Sequence, residues 1–186
     1  MICRKSDITC ERVARELKKG GVVIIPTDTV YGFSGITTKS FETDRKIREI
    51  KGRSESKPLI CLIAKPSDIS KYTNDVIPQK LLEKWPGALT VIVKNKEDEA
   101  TTAYRCPGDP WLREVIEKCG NTIFSTSVNL SGQPVLETEE EISKVFKDKA
   151  DLIVLDGDRK NAKPSTLVKM EDGKVIVLRQ GDVQVE

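Results

Sequence analysis

The chain is predicted to form an α/β fold on a mixed β-sheet. Two observations carry that expectation. Stretches of helical period alternate with short β-branched runs along the 186 residues, which is the pattern of an interleaved α/β domain. The last two runs form a hairpin around Asp172-Gly173, a tight connection that only antiparallel neighbours can use. Connections are short, and no repeat, low-complexity tract or linker divides the chain, so residues 1–186 are expected to be a single domain.

In order, Cys10, Val13, Ala14 and Leu17 recur at helical spacing, with Ser6 or Asp7 as the cap and Gly20-Gly21 as the stop. Residues 22–25 are a β-branched run expected as a buried strand, ended by Pro26, which opens a loop over 27–35. A second helix is expected from near Phe41 to Ile50 with Ser40 as its cap, then a strand over 59–64 and a helix over 79–85 between Pro78 and Pro86. Strands follow at 89–94 and 101–106. Pro110 opens a helix to Lys118. A strand over 122–127, a helix over 139–146 capped by Thr138, a strand over 152–155, and hairpin strands over 166–170 and 174–178 complete the series.

Composition removes whole classes of function. The chain has no histidine, which excludes Ser-His-Asp and Cys-His catalysis, zincins and the histidine-ligated zinc deaminases. Lys and Arg number 31 against 29 acidic residues, a net charge of +2, far from the basic excess of a dedicated nucleic-acid binder. The five cysteines show no two-residue spacing of a zinc or redox motif. Cys61 lies in an apolar run and is expected to be a core thiol, so reducing cytoplasm is the expected compartment. No apolar run approaches the ~20 residues of a membrane span. The first residues, with Arg4, Lys5 and Asp7, lack the apolar centre of a secretory signal.

Three segments could carry chemistry. Pro26-Thr27-Asp28-Thr29-Val30-Tyr31-Gly32 follows directly on a buried strand, where α/β sheets bind ligands, although a plain Pro/Gly loop with local Asx-type bonds would have the same composition. Lys51-Gly52-Arg53 closes the second helix; its two cations either face one polyphosphate or complement the helix C-terminus. Ser125-Thr126-Ser127-Val128-Asn129-Leu130-Ser131-Gly132 ends another strand with four hydroxyls and an amide, suited to phosphate or sugar oxygens or to a polar turn. Arg105, Ser165-Thr166 and Arg179-Gln180-Gly181 sit in or beside strands. Neither a Walker loop nor a Rossmann glycine fingerprint is present.

Read in order, PTDTVYG, KGR, STSVNLSG, PST and RQG resemble the threonylcarbamoyl-AMP synthase family, YrdC-like and of the short single-domain type, from about Ile8 to Gly181. The resemblance implies a twisted, open, mixed β-sheet with flanking helices and a large concave pocket. It implies an ATP-dependent nucleotidyltransferase that joins L-threonine, bicarbonate and ATP, releases pyrophosphate, and passes threonylcarbamoyl-AMP to a tRNA threonylcarbamoyl transferase. Lys51, Arg53, Thr101, Ser127, Asn129 and Arg179 would serve ATP, and Thr27, Arg105, Ser125 and Ser165 would serve threonine.

No side chain acts as acid or base in this scheme, and no protein metal site is implied; Mg2+ would arrive with ATP. Longer members carry a further C-terminal domain and a histidine where this chain has Leu62. Weak tRNA or double-stranded RNA binding is also implied. Two alternatives stay open: a double-stranded RNA-binding module without catalysis, and a carbamoyl-adenylating domain related to hydrogenase maturation.

Overall fold

A computed structural model describes residues 1–52, 58–98, 100–171 and 173–185. Its first half holds β1 (Ile2–Arg4), α1 (Cys10–Lys18), β2 (Val23–Ile25), β3 (Gly32–Ile36), α2 (Thr43–Lys51), β4 (Ile60–Leu62), α3 (Gln79–Leu82) and β5 (Leu89–Lys94). The second half holds β6 (Thr101–Arg105), α4 (Pro110–Cys119), β7 (Ile123–Ser127), α5 (Glu139–Phe146), β8 (Leu152–Leu155), β9 (Thr166–Glu171) and β10 (Lys174–Arg179). The strands form one open mixed sheet in the order β1-β8-β2-β3-β7-β4-β6-β5-β9-β10. Pairing is parallel at β1/β8, β8/β2, β4/β6 and β5/β9, and antiparallel elsewhere.

Covering is unequal along the sheet, and that inequality creates the site. Near β2 both faces are covered: Val23 and Ile25 pack with α1 and α4 through Val13, Leu17, Leu112 and Val115, while Ile24 turns to Ile142 and Phe146 of α5. A strand buried on both sides needs a continuous apolar run, which residues 22–25 supply. Toward β5 and β9 one face packs Val91, Val93, Tyr104 and Val168 against Leu81 and Trp85. The opposite face, carrying Ile60, Ile92, Ala103 and Leu167, lines a cavity.

Several local expectations are corrected. The loop after Pro26 ends at Tyr31 rather than Gly35, because Gly32–Ile36 pairs antiparallel with both β2 and β7. Two glycines in five residues hide that strand from propensity, and Gly35 has a packing reason, since a Cβ there would lie 2.7 Å from Cβ of Thr43. The cap of α1 is Thr9, whose hydroxyl accepts from Arg12 N at 3.2 Å, and not Ser6 or Asp7. Helix α2 begins at Thr43 after a 3-10 turn over Lys39–Phe41, with Glu42 rather than Ser40 at its start. Helix α3 stops at Leu82, and Trp85 folds into the core with its ring N–H on Leu89 O at 2.7 Å. Strand β1 was not anticipated; three residues pairing along one edge leave little periodic signal.

Candidate functional site

Strand alternation builds the floor of the cavity. Ser125 and Ser127 are two apart in β7 and so share a face. Ser125 lies opposite Ile60, Ile60 opposite Ala103, and Ala103 opposite Ile92, which makes a row across four strands. The chain entering β3, the turn after β7, residues 164–165 and the ends of α2 and β10 raise the walls. The cavity, open to solvent on one side, has a volume of about 420 Å³, within the range of small-ligand sites.

At one end stand two guanidinium groups. Arg105 is buried, and its three nitrogens donate to Gly87 O at 3.0 Å, Thr29 Oγ1 at 2.9 Å and Asp28 Oδ1 at 2.7 Å. Burial pulls its pKa below the ordinary arginine value, opposed by the charge of Asp28. Arg179 donates through Nε to Ser165 O at 3.0 Å and reaches Ser165 Oγ at 3.4 Å. Its pKa is also lowered, first by burial and then by the nearby Arg105. Among the described residues Arg179 forms no ion pair. An anion between the two guanidinium groups would therefore relieve their mutual repulsion.

The other end is organised by Lys51. Its ammonium donates to the carbonyl of Ser127, to Asn129 O at 2.9 Å and to Asn129 Oδ1 at 2.9 Å, and it sits 5.3 Å from the centre of the Phe33 ring. Ser127 Oγ donates to Asn129 Oδ1 at 2.7 Å, and the Asn129 amide donates to Leu130 O and Gln133 O. The turn after β7 is thus tied to the end of α2, a tie completed by Ser131 N on Lys51 O at 2.8 Å.

Lys51, Ser127, Asn129, Arg179, Thr27, Arg105, Ser125 and Ser165 all line this one cavity. Thr101 does not: it is exposed at the far end of β6, four residues from Arg105, and about 13 Å away at strand rise. Arg53 lies outside the described residues. Thr27 has its hydroxyl turned to its own loop, donating to Val30 O at 2.7 Å. Ser165 shares a 2.7 Å hydrogen bond with Thr90. Leu62 is buried with the α1 and α4 core and does not line the cavity.

Sequence reasoning left Asp28 and Tyr31 without roles. The Tyr31 hydroxyl donates to Gly157 O at 2.7 Å and accepts from Asp156 N at 2.8 Å, fixing the chain after β8 against the wall. Its 125-residue separation from Asp156 left no local signal.

The Sua5/YciO/YrdC family model, described as telomere recombination, matches residues 15–181. A Methanocaldococcus jannaschii protein is 35% identical over 185 residues, covering 95% of this chain and 87% of that protein. Threonylcarbamoyl-AMP synthase of Bacillus subtilis is 32% identical over 194 residues, covering 97% of this chain and 56% of the relative. The structure of Pyrococcus abyssi Sua5 complexed with L-threonine superposes with a TM-score of 0.82 at 25% identity, over 91% of this chain and 53% of that one. This chain therefore spans most of one relative and about half of the other two. With the family model matched over well more than half of its length, the chain belongs to the Sua5/YciO/YrdC family.

Proposed function

We propose that the chain makes threonylcarbamoyl-AMP from L-threonine, bicarbonate and ATP, with release of pyrophosphate, for threonylcarbamoyladenosine modification of tRNA. The observation that carries the reading is the gathering of eight of the ten residues expected for ATP and threonine around one 420 Å³ cavity. Support also comes from the Bacillus relative named for that activity and from the Pyrococcus protein seen with L-threonine. In this reading a single domain over residues 1–186 carries the activity. Relatives that bear the synthase name favour it over the RNA-module and hydrogenase-maturation alternatives.

The chemistry asks for positioning and charge. The threonine amine and bicarbonate condense to a carbamate with loss of water, and the carbamate's carboxylate oxygen attacks the α-phosphorus as pyrophosphate leaves. Developing charge is met by fixed cations and hydroxyls rather than by an acid–base side chain. Arg105, Ser125, Ser165 and the Thr27 loop hold the amino acid. Ser127, Asn129, Lys51 and Arg53 hold the nucleotide, and Arg179, beside Ser165 at the amino-acid end, meets its phosphates where the two substrates join.

Among the described residues no group of three or more acidic, cysteine or histidine side chains could hold a metal, and Asp28 is committed to Arg105. In this reading magnesium enters with ATP as part of the substrate. The product goes to a tRNA threonylcarbamoyl transferase. Five free thiols suit a reducing, cytoplasmic setting; among the described residues no helix is long and apolar enough to cross a membrane.

The direct test incubates pure protein with ATP, bicarbonate and L-threonine and looks for threonylcarbamoyl-AMP by mass spectrometry. Product is expected only with all three present. Its absence from the complete mixture overturns the reading.

A further inference from the structure

Among the described residues Asp28 is the acid paired with a guanidinium at this end of the cavity, yet its side chain is not among those lining the cavity. Its carboxylate meets Arg105 from behind at 2.7 Å, with 6% of the Arg105 side chain and 21% of the Asp28 side chain exposed. Gly108 makes room for it, since a Cβ at position 108 would lie 2.8 Å from Asp28 Oδ2. Arginine has five N–H donors. Gly87 O, Thr29 Oγ1 and Asp28 Oδ1 take one from each nitrogen of Arg105, which leaves one on each terminal nitrogen.

We propose that Asp28 is a positioning residue: it fixes Arg105 so that its remaining N–H groups meet the amino-acid carboxylate, and it offsets one of the two guanidinium charges at that end. Among the described residues Arg179 is left without an ion pair. The proposal deepens the threonine reading above and rests on it.

The two effects of removing Asp28 act in opposite directions, and that separates positioning from a merely structural role. Losing the carboxylate frees Arg105 to rotate, so a ligand that needs a set geometry binds less well. The same change raises the local positive charge, so a small symmetric anion is attracted more strongly.

The test measures L-threonine binding to the full chain by calorimetry, and sulfate as a competitor of threonine. Asp28→Asn is expected to weaken threonine roughly tenfold or more while sulfate competes several-fold more strongly. Gly108→Ala crowds the carboxylate without removing its charge, and is expected to weaken threonine with no gain for sulfate. A wild-type protein that binds no threonine removes the reading beneath the proposal. If wild type binds threonine and both Asp28→Asn and Asp28→Ala bind it equally well, the role of Asp28 alone is overturned. Parallel weakening of threonine and sulfate would make Asp28 a fold element only and would overturn it too.

Discussion

The ammonium of Lys51 lies 2.9 Å from Oδ1 of Asn129, joining the last residue of α2 to the turn after β7. Position in the sequence suggests a phosphate-facing cation at a polar helix end, removable without harm to the fold. Instead Lys51 is 3% exposed, and its ammonium also meets the carbonyls of Ser127 and Asn129. Lys51→Ala is therefore expected to lower stability as well as activity. Leaving buried acceptors without a donor costs about 1–3 kcal/mol each, which for a domain of this size is a fall of several degrees in Tm, at roughly 2–4 °C per kcal/mol. Thermal melts beside product assays check this; an unchanged Tm would remove the scaffold role.

The cavity's two ends should be separable by kinetics. Asn129→Ala removes the acceptor shared by Lys51 and Ser127, and is expected to raise the KM for ATP more than that for threonine. Ser165→Ala removes a hydroxyl bonded to Thr90 beside Arg179, and is expected to do the reverse. Equal effects on both constants would dissolve the proposed division.

Two glycines should fail in different ways. A Cβ at Gly181 would lie 2.4 Å from Pro164 O and 2.7 Å from Thr166 N, both backbone atoms. Neither can retreat without moving the start of β9, so Gly181→Ala is expected to cost about 1–3 kcal/mol or more. A Cβ at Gly32 would instead meet the Ser125 hydroxyl at 2.9 Å inside the cavity. Gly32→Ala is expected to fold but to bind threonine poorly. Melting curves and threonine titration of the two variants distinguish these outcomes.

The four buried thiols should be silent in the native protein. Burial pushes Cys10, Cys106 and Cys119 up to about 11 and Cys61 up to about 12. A thiol at 11 is only about one part in ten thousand thiolate at pH 7. Ellman's reagent is expected to reach no more than the half-buried Cys3 in native protein, and all five cysteines after unfolding. Rapid native labelling of two or more would contradict the packing around β4, β6 and α4.

Where the sequence was legible, one element carried its own signal. Residues 89–94, 139–146 and 152–155 match their expected bounds, because a β-branched run or a capping box such as Thr138 with Glu141 is local chemistry. Gly32–Ile36 was missed because its stability comes from two partner strands distant in the chain. The same division holds at the site. The hydroxyl-rich segments were visible as segments, and strand alternation explains why Ser125 and Ser127 share a face. The ties of Arg105 to Asp28 and Gly87, and of Tyr31 to Gly157, join residues 18 to 126 apart and left no mark on spacing. Thr101 shares a strand with Arg105 but lies too far along it to reach the cavity.

RNA should not be needed for adenylate formation. Tyr31 is the one aromatic side chain lining the cavity among the described residues, and its hydroxyl is occupied by Asp156 N and Gly157 O. Single-stranded RNA sites use several exposed aromatics to stack bases, and duplex sites track phosphates with exposed cations. Lys51 is buried with its ammonium turned to carbonyls, and Arg105 is buried against Asp28. Neither can reach a duplex backbone. Among the described residues the exposed cation of the cavity is Arg179, so RNA affinity must come from it and from outlying lysines, and is expected to fall steeply between low and physiological salt as counterion release loses its advantage. Saturating ATP is expected to leave most of that weak binding in place, since the nucleotide and RNA would share Arg179 but not the outlying lysines. Nuclease-treated protein with ATP, bicarbonate and L-threonine should yield threonylcarbamoyl-AMP at the untreated rate. Tight RNA binding at physiological salt, displaced by ATP and accompanied by no adenylate, would instead favour an RNA-binding module.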